Sequence, residues 1–412
     1  MAQTQIRITF RNLVMSSEVE TSLTISGGEL HPETSEDSST PPEMTTGPVR
    51  HFYVHIPFCA RICPYCAFYK TLLDRSQTQR FCEALVTELE MHEQNRQLRP
   101  ETIYFGGGTP TALTSAQLEF LLGRFREVLD LSGLIEWTIE ANPGSVSAAK
   151  ASLLRRLGIN RISLGVQSWD DGLLKLLGRE HNAEQAAQSF AIFRSAGFSN
   201  ISIDLMFGLP GQTFRQWRET LERTIALEPE HISTYCLTYE EDTDFFVRHA
   251  RGEFRQDSDA DGEFFEMTMS ILEEAGYAHY EISNYSRLGF RSKHNRAYWS
   301  GSDYLGIGPS AFSTIGMIRW QNVADFRQYS DAILLNRSAV SSSESLTEEM
   351  KRAEAIALSL RTDSGAAAHL LDPFPTKTRE FVKLGLLRKT KDRFVLTRTG
   401  KALADSVAAE FV

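Results

Sequence analysis

Cys59, Cys63 and Cys66 stand within eight residues of one another, spaced C-x3-C-x2-C, at the end of the run His51-Phe-Tyr-Val-His-Ile-Pro-Phe-Cys59 and its continuation Ala-Arg-Ile-Cys63-Pro-Tyr-Cys66. Thiolates clustered in this way can hold three corners of a cubane [4Fe-4S] cluster. The fourth iron then has no protein ligand and stays open to a small molecule. An open iron points to chemistry rather than to electron storage alone. The same thiols could serve a structural zinc ion or a disulfide instead, but a closed zinc site takes four ligands, and Ala67 and Phe68 bring no further thiol.

A loop of this kind needs a strand before it and other strands beside it. Six short β-branched or aromatic runs read as buried strands: His51 to Ile56, Thr102 to Phe105, Ile135 to Glu140, Arg161 to Val166, Asn200 to Leu205, and His231 to Tyr235. Helix-like segments separate them, and three open on the S/T-x-x-Q spacing of a capping box, at Ser76/Gln79, Thr114/Gln117 and Thr213/Gln216. Strand, helix, strand, repeated, predicts a parallel sheet wound by right-handed crossovers into a barrel or partial barrel. The polar residues cluster just after the strands: Gly106-Gly-Gly-Thr-Pro110, Asn142-Pro143 behind Glu140, Gln167, and Asp204 with Gly208-Leu-Pro-Gly211. In a parallel barrel such positions line one mouth, where these folds build their sites. The cysteine loop follows the first strand and opens onto the same mouth.

Each of these residues has a bland reading beside the functional one. The glycine triplet would let a ligand approach the backbone and offer it amide donors, although turns are rich in glycine in any case. Glu140 and Asp204 would accept from an ammonium or from ribose hydroxyls, or be buried acids with purely structural partners. Gln167 brings a donor and an acceptor together. Arg179, in Leu177-Gly-Arg-Glu-His181, could form a bidentate pair with a carboxylate or lie on the surface.

The chain has 412 residues and a formal net charge of -10, which argues against a dedicated nucleic-acid binder. Five cysteines, three of them clustered, suit a reducing cytosol; Cys82 and Cys236 read as core thiols. No apolar run approaches the length of a membrane helix and the N-terminus has no signal-type segment, so a soluble cytoplasmic protein is expected. The Ser/Thr/Pro-rich stretch before Gly47 predicts a disordered leader over residues 1–48. Beyond about residue 250 a helix is expected over Phe264 to Ala275, then His294-Asn-Arg-Ala-Tyr298-Trp299 and the Gly-rich Gly301 to Ser310. The tail reads as a helix, a hairpin across Leu387 to Leu396 and a last helix from Gly400. That winged-helix-like pattern carries basic residues such as Lys383, Arg388 and Arg393, read as the solvated surface of an accessory domain rather than a DNA reader.

The cysteine loop, the glycine triplet and the strand-end acids together resemble the radical S-adenosylmethionine (SAM) superfamily. Within it, Tyr53-Val-His-Ile-Pro-Phe-Cys59, Gly165-Val-Gln-Ser168, Gly178-Arg-Glu-His181 and Asp204-Leu-Met-Phe-Gly-Leu-Pro-Gly211 resemble the HemN/HemW group over most of residues 50–400. The resemblance implies an α/β fold: a partial (β/α)6 barrel over 49–250, an extension over 251–330 and a C-terminal α+β domain over 331–412. It implies a [4Fe-4S] cluster on Cys59, Cys63 and Cys66, with SAM on the open iron. Tyr53, Gly107, Gly108, Thr109, Glu140, Gln167, Arg179 and Asp204 would contact SAM, with Tyr65 packed close to it. One electron from the cluster would cleave the sulfonium to a 5'-deoxyadenosyl radical and methionine.

Two further motifs bear on function. The coproporphyrinogen III oxidases of the group carry a fourth cysteine two residues after the third, where this chain has Phe68. The H-N-x-x-Y-W pattern that the group associates with haem binding is present, with His294 as the implied iron ligand; a hydrogen-bonded histidine in an ordinary aromatic cluster is the alternative. The resemblance therefore implies a haem chaperone with apo-haemoproteins and an electron donor as partners. The rival reading is oxygen-independent decarboxylation of coproporphyrinogen III to protoporphyrinogen IX, and a related methyltransferase or haem-degrading enzyme is a third.

Overall fold

Apart from Thr234, every second residue of the six expected strands is apolar, with polar or small residues between, so each strand must bury two unlike faces. The computed structural model resolves this in one sheet. It describes residues 47–411 and two short strands, Arg7–Phe10 and Leu23–Ser26, which pair antiparallel within the stretch expected to be a leader; the rest of that leader lies outside the described residues. The six strands are β1 (Val49–Ile56), β2 (Leu98–Gly107), β3 (Glu136–Ala141), β4 (Arg161–Gln167), β5 (Ile201–Phe207) and β6 (His231–Cys236). They pair in parallel in chain order. The connections hold α1 (Thr78–Asn95), α2 (Ser115–Val128), α3 (Ala148–Arg156), α4 (Asp171–Leu176), α5 (Ala183–Ser195) and α6 (Phe214–Ala226). This is the α/β partial barrel expected of the sequence.

One face of the sheet, including Val54, Phe105, Trp137, Ile139, Leu164, Ile203 and Leu205, is buried in a single apolar core with the helices. Burial of each such side chain stabilises the fold by about 1.5–3 kcal/mol. The opposite face holds Tyr53, Tyr104, Thr138, Arg161, Ser163, Ser202, Asp204 and His231, all buried as well. A parallel sheet covered on both sides normally reads as a continuous apolar run. The alternation here gives the barrel a polar interior.

Two expected capping boxes form, at Thr114/Gln117 and Thr213/Gln216, and a third forms at Asn182/Gln185. The box expected at Ser76/Gln79 does not. Asp74 takes both the amide (3.1 Å) and the hydroxyl (2.6 Å) of Ser76, so α1 begins only at Thr78 and Gln79 donates to Glu83 at 3.1 Å.

The sheet continues past both ends of the barrel. Strands β7 (Ala278–Glu281) and β8 (Asn284–Ser286) extend the β6 edge. On the other edge β9 (Tyr304–Ile307) pairs in parallel with β1, followed antiparallel by β10 (Phe312–Ile315), β11 (Ile318–Asn322) and β12 (Val340–Ser345). Strand β9 lies within the Gly-rich stretch, and glycine is required there: a Cβ on Gly306 would stand 2.0 Å from the Phe312 carbonyl oxygen. Further helices are α7 (Asp244–Ala250), α8 (Ser258–Glu274), α9 (Lys293–Trp299), α10 (Phe326–Leu334) and α11 (Glu348–Leu360). The tail forms helix Pro375–Lys383 and hairpin Leu387–Thr390/Arg393–Leu396, backed by a third strand at Ala366–Ala367. Among the described residues no helix is long and apolar enough to cross a membrane.

Burial gives the fold a pH dependence. It holds His55 and His181 down at about 4 and His279 at about 3, so below the ordinary histidine value the unfolded chain takes up protons that the folded chain refuses. Stability is therefore lost as pH falls from about 6.5 toward 4. Glu281, raised to about 7 by burial, opposes this, since its folded form keeps a proton that the unfolded chain releases. Burial also raises Asp204 and Asp261 and lowers His51, His231 and His294, so six rings outweigh three carboxyl groups, and the urea midpoint is expected to fall between about pH 7 and pH 5. A midpoint that rises on acidification would contradict the neutral imidazoles.

Candidate functional site

The cysteine loop leaves β1 through Phe58–Cys59, which pairs with Thr71–Leu72 on the loop's return. Hydrogen bonds from Thr71 N to Pro57 O (2.8 Å) and from Leu73 N to Cys59 O (2.9 Å) close it, and the Lys70 ammonium donates to the Cys66 carbonyl. All five cysteines are free thiols, the three of the loop half-buried. Cys82 is buried as expected, whereas Cys236 is only partly so, at the end of β6.

Burial pushes the Cys66 thiol up to about 12, against the Lys70 ammonium, with Cys63 and then Cys59 adding to the rise. The three sulfurs thus share one electrostatic neighbourhood. No three His, Cys, Asp or Glu side chains among the described residues converge on a single metal ion.

The glycine triplet is shaped by the loop rather than by a ligand. A Cβ on Gly107, at φ +108°, would stand 2.6 Å from the His55 ring, and one on Gly108 would stand 2.6 Å from the Pro57 carbonyl carbon. Of the amides expected to be on offer, that of Gly108 is already used, donating to Ile56 O, and Thr109 N beside it donates to Phe58 O, each at 2.8 Å.

A pocket opens between the loop and the ends of β2 to β6. Its lining includes Tyr65, Cys66, Gly107, Gly108, Thr109, Glu140, Gln167, Arg179 and Asp204. Eight of the expected SAM-site residues and one cysteine are therefore brought together from six separate stretches of chain. Glu140 accepts from Tyr104 Oη at 2.6 Å. Asp204 accepts from Ser163 Oγ and Ser202 Oγ, each at 2.8 Å, and burial raises its pKa. Gln167 sits at φ +66° in a β-bulge that turns it off the end of β4, the kind of strained position that clusters at functional sites.

Arg179 is drawn inward rather than left on the surface. It bonds to Asn142 Oδ1 and, at 2.7 Å, to Gly165 O, and its Nη1 lies 3.7 Å from Cys63 Sγ. Its charge helps hold down the Tyr65 hydroxyl, which burial and Cys63 raise. Tyr53 lies beneath the pocket, bonded to His55 Nδ1 at 2.9 Å and stacked on Tyr104, so it supports the acid-bearing wall. Sequence reasoning missed Ser163, Met206, Tyr235 and Glu240, which also line the pocket. The alternation running from Glu140 and Asp204 through β4 was the signal for Ser163. Acids, an amide, a guanidinium and hydroxyls around an apolar wall of Tyr65, Phe68 and Met206 fit a zwitterionic nucleoside such as SAM.

His294 is not part of this pocket. It sits on α9 at the other end of the strands, 1% exposed, with Nδ1 2.8 Å from Thr102 Oγ1. Its ring is stacked on Tyr104 at 5.1 Å and edge-on to Tyr298 at 4.8 Å. An imidazole so enclosed does not fit a haem ligand in this arrangement.

Residues 53–224 match the Radical SAM superfamily. The chain is 37% identical over 377 residues to the heme chaperone HemW of Lactococcus lactis, a match covering 87% of this chain and 96% of that one. It is 36% identical over 372 residues to the heme chaperone HemW of Bacillus subtilis, covering 87% and 98%. Among solved structures, the coproporphyrinogen III oxidase HemN from Escherichia coli, a radical SAM enzyme, superposes with a TM-score of 0.77 over 88% of this chain and 90% of its own, at 23% identity. That last likeness is one of fold.

Loss of one loop sulfur should be visible directly. After anaerobic reconstitution with iron and sulfide, Cys59→Ala is expected to lose the brown charge-transfer absorbance. Gly108→Ala, which cannot seat its Cβ against Pro57, is expected to load poorly. Wild-type iron and sulfide content in Cys59→Ala would remove that cysteine from the ligand set.

Proposed function

We propose, on the premise that the chain belongs to the HemW family of radical SAM proteins, that it works in the cytoplasm as a haem chaperone, binding haem and passing it to apo-haemoproteins. The observation that carries this reading is the match along 87% of the chain to relatives that are heme chaperones. Cys59, Cys63 and Cys66 would hold a [4Fe-4S] cluster. Gly107, Gly108, Thr109, Glu140, Gln167, Arg179 and Asp204 would surround SAM, with Tyr65 against it and Tyr53 behind. When bound, cluster and SAM together supply a one-electron reductive cleavage, for which a protein electron donor is needed.

The residues of the pocket have separable tasks. Arg179, with Nη1 facing Cys63, can donate to a carboxylate while Nη2 stays anchored to Asn142 and Gly165. Asp204, which holds Ser163 and Ser202, and Glu140, which holds Tyr104, are the carboxylates that would accept from an ammonium or ribose hydroxyls. Tyr65, Phe68 and Met206 exclude water from one side. Phe68 faces the pocket where the oxidases of the group have a cysteine, which favours the chaperone over porphyrinogen decarboxylation.

One experiment separates the two. Reconstituted protein given SAM, reductant and coproporphyrinogen III under anaerobic conditions is expected to yield no protoporphyrinogen, while haem titration gives a Soret band that persists in His294→Ala, whose wild-type ring is enclosed. Formation of protoporphyrinogen would overturn the chaperone reading, as would the absence of any Soret band; a band lost in the variant would make His294 the ligand after all.

A further inference from the structure

The polar interior of the barrel encloses one cation that no protein group satisfies. Arg161, the first residue of β4, is 0% exposed, and none of its three guanidinium nitrogens has a hydrogen-bond partner. Thr138, its cross-strand neighbour on β3, is as deeply buried, and its hydroxyl is unpartnered too. So is Nε2 of His294, a ring close enough to feel the Arg161 charge. Proteins pair nearly all such groups, because each one left alone opposes burial, a charge most of all.

Two carboxylates flank this cation along the strands. Glu136 lies toward α9, accepting from Lys293 N at 2.9 Å and His294 N at 3.0 Å. Asp204 lies at the mouth, held by Ser163 and Ser202, and Ser163 stands two residues beyond Arg161 on the same face of β4. Burial opposes the Arg161 charge, but Glu136 foremost and Asp204 with it raise the Arg161 pKa. Burial likewise raises Asp204, while the hydroxyls of Ser163, Ser202 and Ser233 and the charge of Arg161 draw it back. Guanidinium and acids thus act on one another across more than a hydrogen bond's length. Water spans such a gap where the walls offer it a few polar partners.

We propose that the barrel interior beneath the pocket is a site for ordered water, held by Arg161, Thr138 and His294 Nε2, and that through it Arg161 acts as a positioning residue that presents Asp204 to SAM as a carboxylate. The inference rests on the reading of Asp204 as a SAM contact. The other groups around Asp204 leave this task to Arg161. Burial keeps the Tyr235 hydroxyl and the His231 ring, which reaches Asp204 through Ser202, uncharged. Glu140 and Glu240, which share the pocket, are acids, and Arg179 is committed to Asn142 and Gly165.

The test measures SAM binding to the anaerobically reconstituted full chain by equilibrium dialysis from about pH 5 to pH 9, and reads the midpoint of the acid limb. Arg161→Met is expected to move that midpoint up by about one pH unit, so that binding is lost earlier as pH falls. Arg161→Lys keeps the charge and is expected to stay at the wild-type midpoint. An unmoved midpoint in Arg161→Met overturns the role, as does a lysine variant shifted as far as the methionine one. If Arg161→Met does not fold, a crystal structure of the wild type that shows ordered solvent decides: water must bridge the guanidinium to Asp204 or Ser163, and a dry guanidinium or one paired directly with a carboxylate removes the site. Failure of the SAM reading looks different: Asp204→Asn would then bind SAM as the wild type does.

Discussion

The site depends on one close approach of backbone to backbone, where the end of β2 passes under the start of the cysteine loop. Gly108 has no room for a side chain against Pro57, and its amide and that of Thr109 are spent on Ile56 and Phe58. From that fixed point contacts run around the mouth and return to the loop. Thr109 Oγ1 lies 3.7 Å from Cys59 Sγ, Asn142 Nδ2 lies 3.4 Å from Thr109 Oγ1, Arg179 bonds to Asn142, and Arg179 Nη1 lies 3.7 Å from Cys63 Sγ. Two cysteines are thus tied to β2, β3 and the segment after α4 by a closed ring of polar contacts, which lets a mobile-looking loop hold its thiols in place.

The polar interior links the two ends of the strands. Asp204 at the mouth holds Ser202 Oγ at 2.8 Å, which lies 2.9 Å from His231 Nδ1; His231 Nε2 lies 2.7 Å from Tyr280 Oη, which accepts from Ser292 N at 3.2 Å. Ser292 caps α9. The acid of the cofactor pocket and the entry to the His294 helix therefore belong to one hydrogen-bonded chain, high-stakes in a low-dielectric interior because each member is costly to leave unpaired.

Much of this was legible in the sequence, and the reasons are particular. All six barrel strands were, because β-branched runs bounded by turns survive as strands wherever a sheet forms, and the strand-end polar residues followed from the parallel topology. The interior alternation was present in the letters too, yet reads as ordinary amphipathicity until both faces are known to be buried. Strand β9 was hidden because Gly306 is chosen for its clearance from Phe312, not for strand propensity. The start of α1 was misplaced because Asp74 competes for Ser76, a local contest that spacing rules do not weigh. His294 sits as its alternative reading had it, hydrogen-bonded within an aromatic cluster, and the seven residues of α9 carry no periodicity that says what covers them.

The parallel pairing of β9 with β1 sets an order of events on the ribosome. Strand β1 emerges early and gains β2 on one edge soon after, but the partner for its other edge starts only at Tyr304. Until then the strand that leads into the cysteines presents open backbone donors and acceptors, the template on which chains aggregate. Truncation before β9 would leave that edge permanently bare, so the C-terminal third serves as the built-in cover for the most delicate strand of the N-terminal two thirds.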